Sequence, residues 1–218
     1  MESLQHAIAA LYYSNCDTER RTADVWLQDF LHSDQAWPLS LQLLRQSAVA
    51  GNSASRTEAL FCARALHVLL RCSVNKAQKR QKSHVVLAEE DWVTMRMALV
   101  VLAGTFAADL HCSRPVLTQI ALALSTLALK MSQWAAHSIV PDLIAMLATS
   151  GGEVVSSSAS MAGLVAATEV LRVLPEEAGR REVSMHPARR ADVVEGLRVA
   201  APTAFALLHR SLTAQPET

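Results

Sequence analysis

A chain of 218 residues with 51% hydrophobic content can bury one sizeable core or build a short repeat array, and it is too apolar to be disordered over most of its length. Twenty basic and twenty acidic residues leave no formal net charge, which excludes a global field drawing the chain onto nucleic acid or an anionic membrane. Only 7 Gly and 7 Pro favour long helices over a strand-and-turn architecture.

Helical spacing of apolar residues runs through almost the whole chain, and no sustained strand alternation occurs. Leu4, Ile8 and Leu11 mark a first short helix, broken at Asn15, Cys16 and Asp17. Asp17 or Thr18 can cap a second helix, whose face Ala23, Trp26, Leu27, Phe30 and Leu31 predicts a core stripe. Ser33 and Asp34 end it and begin a third, with Trp37, Leu41 and Leu44 recurring and Pro38 tolerated in its first turn. After a turn at 50–53, Ser55 and Glu58 have the spacing of a capping box. A fourth helix then places Ala59, Cys62, Ala63, Leu66 and Leu70 on its inner face.

The pattern fails over 73–84, where Lys76, Lys79, Arg80 and Lys82 make a basic connector, read as a solvated loop. Glu89, Glu90 and Asp91 open a fifth helix, where the macrodipole favours acids. Ser113 and Pro115 are expected to start a sixth, apolar nearly all round through Leu117, Ile120, Ala121, Leu124, Leu127, Ala128 and Met131. Only a thin stripe of Thr118, Gln119, Ser125 and Thr126 is polar, so this helix must lie between neighbours. A seventh helix covers about 139–148, and the Gly/Ser-rich segment 150–158 reads as a loop. An eighth spans 159–174 and is expected to stop at Pro175, leaving 176–187 as a polar loop. The ninth begins near Ala188 and is expected to pack through Val194, Leu197, Ala201, Ala204 and Leu208, bent at Pro202. Its apolar face has no later helix to cover it, which predicts a chain truncated at its C-terminus.

Nine helices joined by short turns, recurring at about 35 to 45 residues, predict an all-α solenoid of HEAT/ARM type built from antiparallel helix pairs. The expected organisation is a single solenoid over 1–218: two helix pairs in 1–72, the connector 73–87, and further repeats over 88–218. Cys16, Cys62, Cys72 and Cys112 lack CxxC spacing and read as small core hydrophobes in a reducing compartment. No secretory n-region and no uninterrupted apolar run of membrane length occurs, so a soluble intracellular protein is expected. Eight scattered histidines form no metal-type or nucleophile spacing, and no glycine-rich phosphate loop is present. No catalytic centre, metal site or cofactor is therefore expected. His111 beside Cys112 reads as a helix end, and Glu176 beside Glu177 as a poor acid/base pair.

The run E-R-R-T-A-D-V-W-L-Q-D-F-L-H-S-D-Q-A-W, Glu19 to Trp37, resembles the opening of importin-β (karyopherin-β) nuclear transport receptors. Trp26, Leu27, Phe30, Ser33, Ala36 and Trp37 fill that family's W-L-x-x-F/L-x-x-S-x-x-A-W pattern. Phe61, Cys62 and Ala63 stand where the family carries F-A-A. Thr118 to Trp134, and V-L-P-E-E from Val173 with the later A-R-R-A-D-V-V-E-G-L ending at Leu197, are similar to the transportin-SR branch. The resemblance implies a nuclear import receptor whose N-terminal repeats bind the GTP form of the small GTPase Ran. It also implies Ser/Arg-rich cargo and nucleoporins as partners of a full-length form, shuttling between nucleus and cytoplasm, and no direct contact with nucleic acid or membrane. The polar faces of the second and fourth helices, expected to line a concave surface, nominate Arg21, Asp24, Gln28, Arg64, His67 and Arg71 for partner binding. Where the family often carries Gln-x-x-Lys after F-A-A, Arg64 and His67 stand here, which leaves open a HEAT scaffold that does not bind Ran.

Overall fold

A computed structural model describes residues 1–50, 53–72, 89–149, 157–180, 183 and 185–213. Among these residues there are nine helices and no strand: α1 (Glu2–Tyr13), α2 (Asp17–Leu31), α3 (Ala36–Ala50), α4 (Ser53–Cys72), α5 (Glu89–Ala107), α6 (Leu110–Lys130), α7 (Ile139–Thr149), α8 (Ser157–Gly179) and α9 (Pro187–Thr213). Consecutive helices pair as α1 with α2, α3 with α4, α5 with α6 and α7 with α8. The pairs stack in two layers. One is the row α4–α6–α8; the other is α3–α5–α7–α9. This is the repeat architecture of an all-α HEAT-type solenoid.

The centre of the array is α6, held between α4 and α8. Its Ile120, Ala121, Leu124, Leu127 and Ala128 are fully buried, as its all-round apolar sequence requires. Each such Leu or Ile contributes about 1.5–3 kcal/mol by leaving water. The face of α4 follows the predicted spacing, with Ala59, Cys62, Ala63, Leu66 and Leu70 all buried. No helix among the described residues is long and apolar enough to cross a membrane.

Several boundaries differ from the sequence reading. α4 starts at Ser53, so Ser55 is a buried residue inside the first turn and not the cap of a capping box. α2 begins at Asp17, with Cys16 as its N-cap residue. α6 starts at Leu110, three residues before Ser113, and the Ser113 N–H donates to the Asp109 carbonyl at 3.1 Å. Pro115 thus follows the first turn. α8 does not stop at Pro175: it continues to Gly179 with the proline on its exposed side. The short extension carries Glu177 into the interior. Pro202 lies within α9 without ending it.

Side-chain placement also departs from expectation in places. Trp26 is 39% exposed, because it stacks on Phe30 at the rim of α2 (centroids 5.6 Å apart, planes 6° apart) and does not enter the core. α9 packs through Val193, Gly196 and Ala200, with the expected Leu197 partly buried against the core, while Val194 is exposed. Among the cysteines whose side chains are described, Cys62 is a core residue, while Cys16 and Cys72 are exposed. Burial raises the Cys62 thiol far above its ordinary range. The basic connector, the Gly/Ser-rich segment 150–156 and the side chains of His111, Cys112 and Leu208 lie outside the described residues.

Candidate functional site

The six nominated residues do not form one surface. Arg21, Asp24 and Gln28 are exposed on α2, where Gln28 Nε2 donates to Asp24 Oδ2 at 3.0 Å. However, α2 packs chiefly on α1, and it is α1 that meets α4. Gln5 Nε2 donates to Glu58 Oε2 at 3.3 Å, and the Tyr13 and Thr57 hydroxyls lie 2.6 Å apart. The α2 and α4 candidates are therefore held on separate ridges with α1 joining them. On α4, Arg64 is exposed and Arg71 half-buried, seven residues apart on one side of the helix. Val68, 37% exposed, lies between them and completes a stripe that the sequence reading overlooked. His67 is not part of it: only 6% of its surface is exposed, and it points into the helix stack.

What His67 meets is Glu177, with Nε2 and Oε2 3.5 Å apart. Glu177 is completely buried at the end of α8. Thr126 Oγ1 donates to Glu177 Oε2 at 3.3 Å, and Arg180 Nη1 lies 2.9 Å from Oε1. Two turns earlier, Thr118 Oγ1 donates to Glu169 Oε1 at 2.6 Å, and Arg172 grips the same carboxylate through Nε and Nη2. The Arg172 hydrogen bonds, helped by Thr118, hold the Glu169 carboxyl below its usual range. The polar stripe of α6 is thus not a solvent face. It is a seam of hydroxyls facing two carboxylates of α8 at the same eight-residue interval, which fixes the two helices parallel and in register.

Cations close the C-terminal ends of this row. Lys130 Nζ, at the end of α6, donates to the carbonyls of Leu70 (2.7 Å) and Arg71 (2.6 Å), the last turn of α4. Burial pushes its ammonium down to about 8. Arg189, in the first turn of α9, donates through Nη2 to Ala128 (3.2 Å), Met131 (3.1 Å) and Trp134 (2.5 Å), and through Nε to Leu129 (3.5 Å). Arg190 donates to the carbonyl of Ala178 in the last turn of α8 and to those of Arg180 (3.0 Å) and Val183 (2.9 Å) beyond it. Each of α4, α6 and α8 ends in orphan carbonyls that need donors, and each takes them from a cation of another element. The R-R pair at 189–190 was legible in sequence; that it serves two helix ends was not.

Clefts open on the surface among the described residues. One of about 600 Å³ lies between α1 and α2, floored by Ala7, Ala10 and Ala23 and edged by His6, Glu19 and Trp26. Another, about 410 Å³, lies between α8 and α9, with Leu171, Pro175, Leu197, Ala201 and Phe205 on its walls. Among the described residues no cluster of His, Cys, Asp or Glu could hold a metal ion.

The family model described as Exportin 1-like protein matches residues 113–218. Mouse importin-13 is 29% identical over 213 residues, 97% of this chain and 19% of that protein. Human importin-13 is 28% identical over the same length, and transportin MOS14 of Arabidopsis thaliana is 27% identical over 213 residues, 96% of this chain and 19% of its own. The chain therefore spans about a fifth of the length of the curated relatives it matches.

Proposed function

From its similarity to importin-13 and transportin MOS14 and its match to the Exportin 1-like model, we propose that the chain belongs to the karyopherin-β family and acts within a nucleocytoplasmic transport receptor by binding the GTP form of a Ran-type GTPase. The observation that carries the reading is the α4 stripe of exposed Arg64 and Val68 with half-buried Arg71, on the helix that also bears the F-A-A-like Phe61, Cys62 and Ala63. Two guanidinium groups two turns apart with an apolar residue between them suit a partner surface of acidic groups around a small hydrophobic contact. Rim contacts of this kind contribute about 0.2–1 kcal/mol each. Arg21, Asp24 and Gln28 on α2 form a second, separate set of candidate contacts. His67 belongs to the interior and is withdrawn from the set. In the same reading a longer form carries Ser/Arg-rich cargo, contacts nucleoporins and shuttles between nucleus and cytoplasm, as the transportin-SR-like blocks suggest.

Binding of purified Ran loaded with a non-hydrolysable GTP analogue, compared with GDP, is the test. Preference for the GTP form, with association slowed several-fold in Arg64→Ala/Arg71→Ala, supports the reading. Equal binding of both forms favours instead a HEAT interaction scaffold without Ran binding. The burial of His67, at a position where the family often has a lysine, speaks for that second reading.

A further inference from the structure

We propose that His67 and Glu177 form a proton-sensitive latch holding α4 to α8 across the intervening α6, closed while the imidazole is neutral and released when it takes up a proton. The two groups belong to helices that each pack on α6 and make little other contact with one another. Their approach at 3.5 Å is thus a direct side-chain contact between alternate members of the row, an electrostatic one in which His67 Nε2 makes no hydrogen bond of regular geometry. Both side chains are shut away from water, at 7% and 0% exposure.

The charge balance decides which state is closed. The carboxylate of Glu177 already has Arg180 Nη1 at 2.9 Å and a hydroxyl donor in Thr126. Around His67 the charged groups are Arg71 on its own helix, Glu177 on α8, Arg180 just after α8, and Lys130 of α6, whose ammonium is fixed on the Leu70 and Arg71 carbonyls. Protonating the imidazole would place another cation beside Arg71 and Arg180 against one carboxylate, where burial disfavours the charged form. Desolvation is the largest effect on His67 and, with Arg71 and Arg180, outweighs the attraction of Glu177, so its pKa lies below the ordinary histidine value. The unfolded chain then binds a proton near pH 6.5 while the folded chain still refuses it. Stability conferred by the neutral latch is complete above that pH and falls as the pH drops through the window below it, by up to about tenfold in the unfolding constant per pH unit. Because Arg64 and Arg71 ride on α4, release also loosens the candidate partner surface from the fourth repeat pair.

The experiment combines a histidine NMR titration with amide hydrogen exchange on the whole chain, wild type against His67→Gln. The expected result is an imidazole signal, missing in His67→Gln, that titrates below pH 6.5. Between pH 7.5 and 5.5, after correction for intrinsic rates, exchange in α4 and α8 should rise about tenfold in the wild type and stay flat in the variant. Glu177→Gln, which keeps the side-chain volume, should move the same signal to still lower pH, and so identifies it even if His67→Gln does not fold. An imidazole titrating at or above pH 6.5, an unchanged titration in Glu177→Gln, or acid-accelerated exchange that persists in His67→Gln would each overturn the proposal.

Discussion

Replacing Arg189 with alanine offers a sharp test of how the helix rows are joined. The guanidinium reaches four backbone oxygens, of Ala128, Leu129, Met131 and Trp134, which lie at and just beyond the end of α6. A hydrogen bond to a charged group contributes about 1.5–3 kcal/mol, and a buried acceptor left alone costs about 1–3 kcal/mol. These four contacts share one side chain, however, and Arg189 is half-buried, so water can reach some of the freed carbonyls. The net loss is therefore about 2–3 kcal/mol and not four times the single-bond figure. For a chain of this length that lowers the melting temperature by about 5–10 °C. Urea unfolding followed by far-UV circular dichroism measures it, with hydrogen exchange reporting whether the turn after α6 and the start of α9 open first. Arg189→Lys separates charge from shape. An ammonium keeps the favourable interaction with the helix C-terminus, about 0.3–1 kcal/mol, but cannot span the four oxygens. Lysine should accordingly recover less than half of the loss. A destabilisation under about 0.5 kcal/mol in the alanine variant, or full recovery by lysine, would refute the bridging role.

Other substitutions probe separate parts of the stack. Gly196→Ala should destabilise although alanine is the better helix former: a Cβ there would stand 2.5 Å from the Ala136 carbonyl oxygen and 2.9 Å from its carbon, both backbone atoms. The expected cost, read by thermal melting, is about 1–3 kcal/mol. Glu169 has a depressed carboxyl, so its contribution is present above the unfolded value near 4.5 and lost as pH falls through the folded one. Glu169→Gln should therefore flatten part of the acid limb of a stability–pH curve and leave the neutral-to-alkaline limb unchanged. Trp26→Ala should cost under about 1.5 kcal/mol by urea titration, because the indole is only partly buried and its partner Phe30 keeps its own core contacts. Trp134→Phe should cost more than Trp26→Ala: it removes the Nε1 donor held by Asp142 at 2.8 Å, inside the core and beneath the Arg96 guanidinium.

The fold was legible because helical stacking is written locally. The spacing of Ala59, Cys62, Ala63, Leu66 and Leu70 names the buried face of α4 without reference to any neighbour, and the all-round apolar sequence of α6 requires neighbours on both sides. The candidate surface was less legible, since a polar residue on a helix reads the same whether it faces water or a buried partner. His67 and Thr126 looked like members of hydrophilic stripes and proved to be interior residues facing one buried carboxylate. Their partner, Glu177, lay behind Pro175, where the rule that proline ends a helix pointed to a loop. The rule fails here because the ring of Pro175 faces outward and the helix needs only one further turn to seat Glu177 beneath Thr126 and His67. Trp26 failed in the opposite sense: its spacing is that of a core residue, but stacking on Phe30 satisfies the ring at the rim.

Apolar packing alone would leave neighbouring helices of this row free to slide, because alanine and leucine offer nearly equivalent contacts at several offsets. The polar contacts remove that freedom. Thr118 with Glu169 and Thr126 with Glu177 repeat the same 51-residue separation. Slipping α8 by one turn on α6 would strand a carboxylate that is completely buried at Glu177, an outcome costing more than the hydrophobic contacts could return. Lys130 and Arg189 then fix the ends, since each cation reaches only the carbonyls of one helix terminus. Apolar burial thus supplies the adhesion between repeats while a few buried ionic groups set their register. The same groups, placed where protonation is costly, make the array's rigidity answer to pH at His67.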